Sequence, residues 1–127
     1  MIFRFLFLIF LSCFSNVNIE TSYYNNGKIR YEIEKNNNML NGISKYWDEH
    51  GNLINEVEYL NDKLHGRWIE YYKTGKINSI TNYIFNKKDG LQITYYENGN
   101  KKNETLFKED EKTSETIRWD INGKMIN

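Results

Sequence analysis

The residues in this sequence best suited to metal binding or acid–base chemistry are two histidines and a series of carboxylates. His50 and His65 each stand directly before a glycine, so we interpret both as turn residues. A metal site requires clustered histidines, cysteines or carboxylates, whereas Glu56 and Glu58 belong to an alternating pattern typical of a solvated strand. Neither a glycine-rich phosphate loop nor a Gly-x-Ser-x-Gly nucleophile motif occurs. We therefore expect no enzymatic activity, no metal and no cofactor.

Aromatic side chains supply the remaining candidate chemistry, because Phe, Trp and Tyr make up 16% of the sequence. Tyrosine and tryptophan suit surfaces that are partly apolar and partly wet. One aromatic residue stands four positions before a glycine at regular intervals, and these residues form what we call the aromatic ladder: Tyr23, Trp47, Tyr71, Tyr95 and Trp119. The ladder either packs the protein internally or lines a groove for an extended peptide, a glycan or a lipid headgroup, and it is the candidate binding site.

The N-terminal segment differs in kind from the polar chain that follows it. One positive charge, Arg4, precedes an apolar run from Phe5 to Leu11 and then small residues. This run is shorter than the roughly 20 apolar residues that span a bilayer. Residues 1–15 are predicted to be a secretory signal peptide, with an ordinary buried strand or helix as the alternative.

Cys13 is the only cysteine in the sequence. The stretch Phe-Leu-Ser-Cys that ends at this residue loosely resembles a bacterial lipoprotein box, so Cys13 is a candidate lipidation site; simple cleavage after Ser15 is the alternative. Either reading predicts export to the periplasm, the outer envelope or a membrane-anchored lipoprotein. The protein would be cytoplasmic if the segment were not a signal.

Charge excludes one large class of partners. The 127 residues, enough for one domain, contain 17 Lys and Arg against 17 Asp and Glu. A protein that holds phosphate backbones through charge is basic. We therefore expect no nucleic-acid partner.

The chain is built on a 24-residue period. The first set of repeat glycines is Gly27, Gly51, Gly75, Gly99 and Gly123. A second set is Gly42, Gly66 and Gly90. Stretches such as 28–34 and 52–59 alternate polar and apolar residues, as strands with one buried face do, and we interpret both glycine sets as turn glycines. The sequence predicts an all-β fold over residues 20–127, an elongated single-layer antiparallel meander of stacked hairpins.

The first set of glycines predicts a particular turn. We expect a three-residue loop with the glycine last, because glycine alone then needs a left-handed φ; the β-branched Thr74 resists that conformation. Such a loop pairs each ladder aromatic with the residue six positions later. The predicted pairs are Tyr23–Ile29, Trp47–Leu53, Tyr71–Ile77, Tyr95–Lys101 and Trp119–Met125.

The longer connection within each repeat is assigned a register by the same row of aromatic residues. We expect Ile33 to pair with Ile43, and Val57 with Arg67, which places the ladder in one row across the sheet. The opposite face is then expected to be a solvated surface that carries Ser44, Glu70, Gln92, Thr116 and Arg118, with Trp68 as an exception.

The repeat resembles a known family. Its unit reads Tyr-x-x-Gly-x-aliphatic and then glycine and an aromatic, as in YYNNGKI, WDEHGNL, YYKTGKI, YYENGNK and WDINGKM, with NGISKYW, HGRWIEY and DGLQITY. This unit resembles the MORN repeat, and more closely the variant of bacterial proteins labelled YwqK family antitoxin. The resemblance implies a single-layer sheet of hairpins used for scaffolding, membrane association or partner binding.

The functional prediction combines this resemblance with the apparent leader. We expect a non-enzymatic interaction or scaffold module exported to the bacterial envelope, with a protein partner, a membrane surface or a glycan as its target. The alternatives are an antitoxin-like protein that neutralises a partner toxin, and a glycan- or lipid-binding platform. An export signal departs from the pattern of a cytoplasmic antitoxin. The sequence predicts no oligomeric state.

Overall fold

The computed structural model describes residues 16–126, and all regular structure in them is β. The predicted signal peptide and Cys13 lie outside the described residues. The strands are β1 (Val17–Tyr23), β2 (Ile29–Asn36), β3 (Met39–Trp47), β4 (Leu53–Leu60), β5 (Lys63–Tyr71), β6 (Ile77–Ile84), β7 (Lys87–Tyr95), β8 (Lys101–Lys108), β9 (Glu111–Lys112), β10 (Ile117–Trp119) and β11 (Met125–Ile126).

The strands form one open antiparallel sheet in which neighbours along the chain are neighbours in space. The order runs from β1 to β8 and then to β10 and β11, and the short β9 pairs with β8 outside this path. The prediction of an all-β, single-layer meander of hairpins is confirmed. Within residues 16–126 the sheet ends at β1 on one side and at β11 on the other.

The three-residue loops expected from the sequence connect the strands at one end of the hairpins. The glycines of the first set adopt φ between 80° and 94°, while the residues before them keep negative φ. In the second repeat, the Asp48 N–H donates to the Asn52 carbonyl and the Gly51 N–H donates to the Asp48 carbonyl, both at 2.9 Å. The predicted pairs of ladder residues are all present.

At the other end of the hairpins, the strands are connected by two-residue turns that the sequence analysis did not identify. Both residues of each turn have positive φ, as in type I′ hairpins, and the turns are Asn37–Asn38, Asn61–Asp62, Phe85–Asn86 and Glu109–Asp110. Asparagine and aspartate tolerate this conformation better than other non-glycine residues. Phe85 (φ 47°) and Glu109 (φ 50°) are the two exceptions among them.

The predicted register across these turns is wrong by one residue. Ile33 lies opposite Ser44 rather than Ile43, and Val57 lies opposite Trp68 rather than Arg67. Part of the error comes from a bulge after each three-residue loop, where one residue such as Ile54 has no cross-strand partner. A one-residue shift moves side chains to the opposite face of a sheet.

The second set of glycines lies inside strands rather than in turns. Gly42, Gly66 and Gly90 belong to β3, β5 and β7 and have φ between 104° and 119°. A Cβ atom on Gly66 would lie 2.9 Å from the Glu58 Cβ atom. The glycine is therefore required by a close approach of the neighbouring strand and by its backbone conformation.

The two faces of the sheet can be named after their best-buried aliphatic residues. The Val57 face carries Tyr31, Ile33, Ser44, Tyr46, Val57, Tyr59, Trp68, Glu70, Ser79, Thr81, Tyr83, Gln92 and Thr105. The Ile69 face carries the aromatic ladder together with Ile43, Glu56, Ile69, Ile80 and Ile93.

Burial is concentrated on the Val57 face, contrary to the prediction that this face is a solvated surface. Ser44 is 0% exposed, and Val57, Ser79, Thr81 and Thr105 are each 9% exposed or less. The physical reason is size, because small hydroxyl side chains stand among tyrosines and a tryptophan that shield them from water.

Candidate interaction surface

The aromatic ladder lies on the Ile69 face, next to the three-residue loops. Tyr23 is 61% exposed, whereas the other four aromatic residues are half-buried. Each aromatic residue faces its hairpin partner across the strand pair, for example Trp47 with Leu53. Burial raises the pKa of Tyr71, and the nearby Glu56 carboxylate raises it further. The ladder therefore contributes to packing of the sheet and is only partly available to a ligand.

The surroundings of the last two ladder residues, Tyr95 and Trp119, are polar. Lys101 replaces the aliphatic partner found in earlier repeats, and its Nζ atom lies 5.5 Å from the centre of the Trp119 ring. The same Nζ atom is 2.6 Å from the Glu104 carboxylate, and this hydrogen bond raises the pKa of Lys101. The lysine charge is thus already compensated within the repeat.

A second group of aromatic residues, missed by the sequence analysis, lines a groove on the Val57 face. One hollow of about 300 Å³ is lined by Tyr46, Ile54, Asn55, Val57, Tyr59 and Trp68. A second hollow of about 160 Å³ is lined by Trp68, Glu70, Thr81, Tyr83 and Gln92. The Trp68 ring is common to both hollows and lies 6.1 Å from the Tyr83 ring. We call the two hollows together the Trp68 groove.

Some of the polar groups at the Trp68 groove are buried, with Ser44 0% and Thr81 7% exposed. Burial raises the pKa of Tyr59 to about 12, with a smaller contribution from Tyr46. Some of the hydroxyls are paired, as in the bond from Gln92 Nε2 to Thr81 Oγ1 at 3.1 Å. The Trp68 indole N–H and the nearby Ser44 Oγ are buried without a hydrogen-bond partner. An unsatisfied buried donor of this kind is costly and requires an explanation.

A sequence signal for this groove existed. Tyr59, Tyr83 and Phe107 stand 24 residues apart and form a second aromatic column with the period of the repeat. All three residues lie on the Val57 face, opposite glycines of the second set. The column was missed because the one-residue error in register had assigned this face to solvent.

The two histidines do not form a site. His50 lies in a three-residue loop, as expected, but His65 lies within β5 and its ring packs against the Phe85 ring at a tilt of 51°, with centroids 4.7 Å apart. Within residues 16–126 there is no cluster of histidine, cysteine and acidic side chains that could hold a metal ion. The same residues contain no helix long and apolar enough to cross a membrane.

Comparison with known families identifies the repeat. The model of the MORN repeat variant matches four segments of the chain, residues 17–37, 40–61, 64–84 and 88–109. A comparison with curated proteins gave no match. MORN repeats are generally non-catalytic modules that contact proteins or membranes. The narrower likeness to the bacterial YwqK group stays a prediction.

Proposed function

Since this chain belongs to the family of MORN repeat variants, we propose that it is a non-enzymatic interaction module that binds a protein partner in the Trp68 groove and is exported to the bacterial envelope. The observation that carries the proposal is the groove itself. It presents Tyr46, Tyr59, Trp68 and Tyr83 on a face that no second layer of the described chain covers.

A single-layer sheet leaves much of its apolar surface in contact with water. Most domains bury such a face against a second layer. Here Val57 and Ile69 are the only hydrophobic residues of the described chain that are buried, at 3% and 8% exposure. Tyrosine and tryptophan dominate the energetic centres of protein interfaces, and both are present in the groove. A protein partner would supply the missing layer.

The groove is tested with a pair of matched lysine variants. Ile54 lines the groove and is 39% exposed, and Ile43 lies on the Ile69 face and is 38% exposed. A partner is first captured with a photo-crosslinker at Tyr59 and then purified. Ile54→Lys is expected to weaken its binding by tenfold or more, and Ile43→Lys to leave binding unchanged. Equal effects of the two variants would show that the groove is not the binding site.

Export is supported by the charged and apolar N-terminal segment of the sequence. Cell fractionation combined with mass analysis of the mature N-terminus tests it. We expect a product in the envelope that begins after Ser15, or one that begins at Cys13 with added acyl mass. A cytoplasmic product that still begins at Met1 would contradict export.

Two narrower functions make different predictions. An antitoxin-like role requires that the captured partner be toxic when it is expressed without this protein, with Ile54→Lys abolishing the neutralisation. A glycan or lipid platform would instead use the aromatic ladder, so Trp47→Ala and Trp119→Ala should abolish ligand binding while the sheet stays folded. Unfolding of either variant would identify these residues as structural.

A further inference from the structure

The first strand presents the longer unpaired edge at the two ends of the described sheet. β1 has seven residues, whereas β11 at the opposite end has two. An unpaired strand edge is a template for another strand, and proteins commonly protect such edges with lysine or proline. The β1 sequence, Val-Asn-Ile-Glu-Thr-Ser-Tyr, contains neither. This edge is therefore open to pairing.

Backbone hydrogen bonds show which groups of β1 point outward. The Asn16 carbonyl accepts from the Asn37 N–H, and the Tyr24 N–H donates to the Lys28 carbonyl, so even-numbered residues bond toward β2. The direction of these groups alternates along an antiparallel strand. The residues whose N–H and C=O groups point outward are Val17, Ile19, Thr21 and Tyr23.

The side chains at the outward positions are uncharged and unusually exposed. Val17, Ile19 and Tyr23 are each 61% exposed, more than any other large hydrophobic residue in the described chain. The one charged residue of the strand, Glu20, bonds inward to Lys35 Nζ at 2.5 Å. The edge thus combines free backbone groups with an apolar row and a compensated charge.

We propose that β1 pairs antiparallel with β1 of a second copy of this chain, with the two-fold axis at Thr21, so that two sheets join into one. This register places Ile19 opposite Tyr23 on both sides of the axis, and such β-branched–aromatic pairs are favourable. It also places Glu20 opposite Ser22. An axis at Glu20 would instead set two carboxylates directly opposite each other, which is unfavourable.

The partner is a second copy because the edge is complementary to itself under this two-fold axis, and the resulting contact closes into a dimer. A head-to-tail contact between β1 and β11 would offer only the two residues of β11 for pairing. This dimer uses the sheet edge and leaves the Trp68 groove free. Its failure would therefore not affect the function proposed for the groove.

Proline has no backbone N–H, so a proline variant of the full chain removes a donor either on the outward side of β1 or on the side that faces β2. Thr21→Pro removes an outward donor, so the sheet should stay folded while the dimer dissociates. Ser22→Pro removes an inward donor and should destabilise β1 itself. Sedimentation velocity and circular dichroism distinguish these results. A wild-type chain that is monomeric at high micromolar concentration, or a Thr21→Pro variant that stays dimeric, would overturn the proposal.

Cysteine variants in a Cys13→Ser background test the register. Facing Thr21 residues would have Cα atoms about 5.5 Å apart, within disulfide reach, so Thr21→Cys should form a covalent dimer under mild oxidation. The two Ser22 positions would lie about 8 Å apart, from strand spacing and rise, which exceeds the reach of a disulfide. Ser22→Cys is thus the matched control. Equal crosslinking of both variants would contradict the register.

Discussion

At the scale of single residues, tyrosine hydroxyls join neighbouring repeats. The hydroxyl of Tyr72 donates to the Tyr95 carbonyl at 2.7 Å, and Tyr24 and Tyr96 make the same bond to the residue 23 positions later. The second repeat has Asp48 at this position. The Asp48 carboxylate instead accepts from the N–H groups of its own turn. These bonds connect neighbouring repeats within the single-layer sheet of the described residues.

Removing one of these hydroxyls should measurably weaken the sheet. We expect Tyr72→Phe to lower the free energy of unfolding by about 1 kcal/mol, because it leaves the partly buried Tyr95 carbonyl without this donor. Tyr31→Phe is the control, since its hydroxyl bonds at 3.2 Å to Glu20 in an exposed setting. Its effect should stay within about 0.5 kcal/mol. Urea denaturation measures both, and equal losses would contradict the assigned role.

The raised pKa of Tyr59 predicts a pH dependence of stability. Burial raises the pKa of Tyr59 in the folded protein to about 12, whereas the ordinary pKa of a tyrosine is 10.0. Between these values the unfolded chain binds fewer protons, so the free energy of unfolding falls as pH rises. Tyr59→Phe should make this alkaline decline shallower between pH 10 and 12. Thermal denaturation across that range checks it, and an unchanged slope would contradict it.

At the scale of the elements, the two glycine sets serve different purposes. Gly75 lies in a loop at φ 80°, and a Cβ atom there would meet nothing within 4 Å. Gly66 and Gly90 lie within strands, and a Cβ atom on either would meet the facing strand. The first set needs glycine for its backbone conformation, and the second set also needs it for space.

The loss of stability on substitution of these glycines by alanine should increase as the added Cβ atom comes closer to a neighbouring atom. A Cβ atom on Gly66 would lie 2.9 Å from Glu58 Cβ, and one on Gly90 would lie 3.3 Å from Asn82 Cβ. We therefore expect Gly66→Ala to be the most destabilising, Gly90→Ala intermediate and Gly75→Ala the least. Gly75→Ala should cost about 1–2 kcal/mol, the backbone penalty alone. Chemical denaturation gives the order, and a larger loss at Gly75 than at Gly66 would refute it.

At the scale of the whole molecule, stability is distributed over repeats that contact only their neighbours. In such proteins stability is close to a sum of repeat terms and interface terms. The contacts between strands of the described sheet follow this pattern, because strands pair mainly with their sequence neighbours. The 24-residue period also keeps each side chain on its face.

Deletion of one period tests this arrangement. Removing 64–87 joins Lys63 to Lys88 and restores the pattern of a shorter sheet. This variant should fold, with lower stability and without the Trp68 groove. Removing 64–86 leaves one extra residue, which should transfer the following side chains to the wrong face. Circular dichroism and cooperative unfolding compare the two variants, and equal folding of both would contradict the role of the period.

The sequence predicted much of the fold because its signals are local. Gly75 and its equivalents specify the loop, and the pairing of Tyr71 with Ile77 follows from the loop geometry. The register at Val57 and Trp68 did not follow, because a bulged residue such as Ile54 shifts the alternation of the side chains after it, and the predicted register assumed strands without bulges. The missed Trp68 groove is a consequence of that error.

By itself the sequence determined the period, the class of the fold, the three-residue loops and the family of the repeat, all of which depend on residues close together along the chain. The tertiary structure decided which face is buried, where the aromatic groove lies and which backbone groups of β1 are free. These properties depend on how adjacent strands align, and a shift of one residue reverses the faces of a sheet.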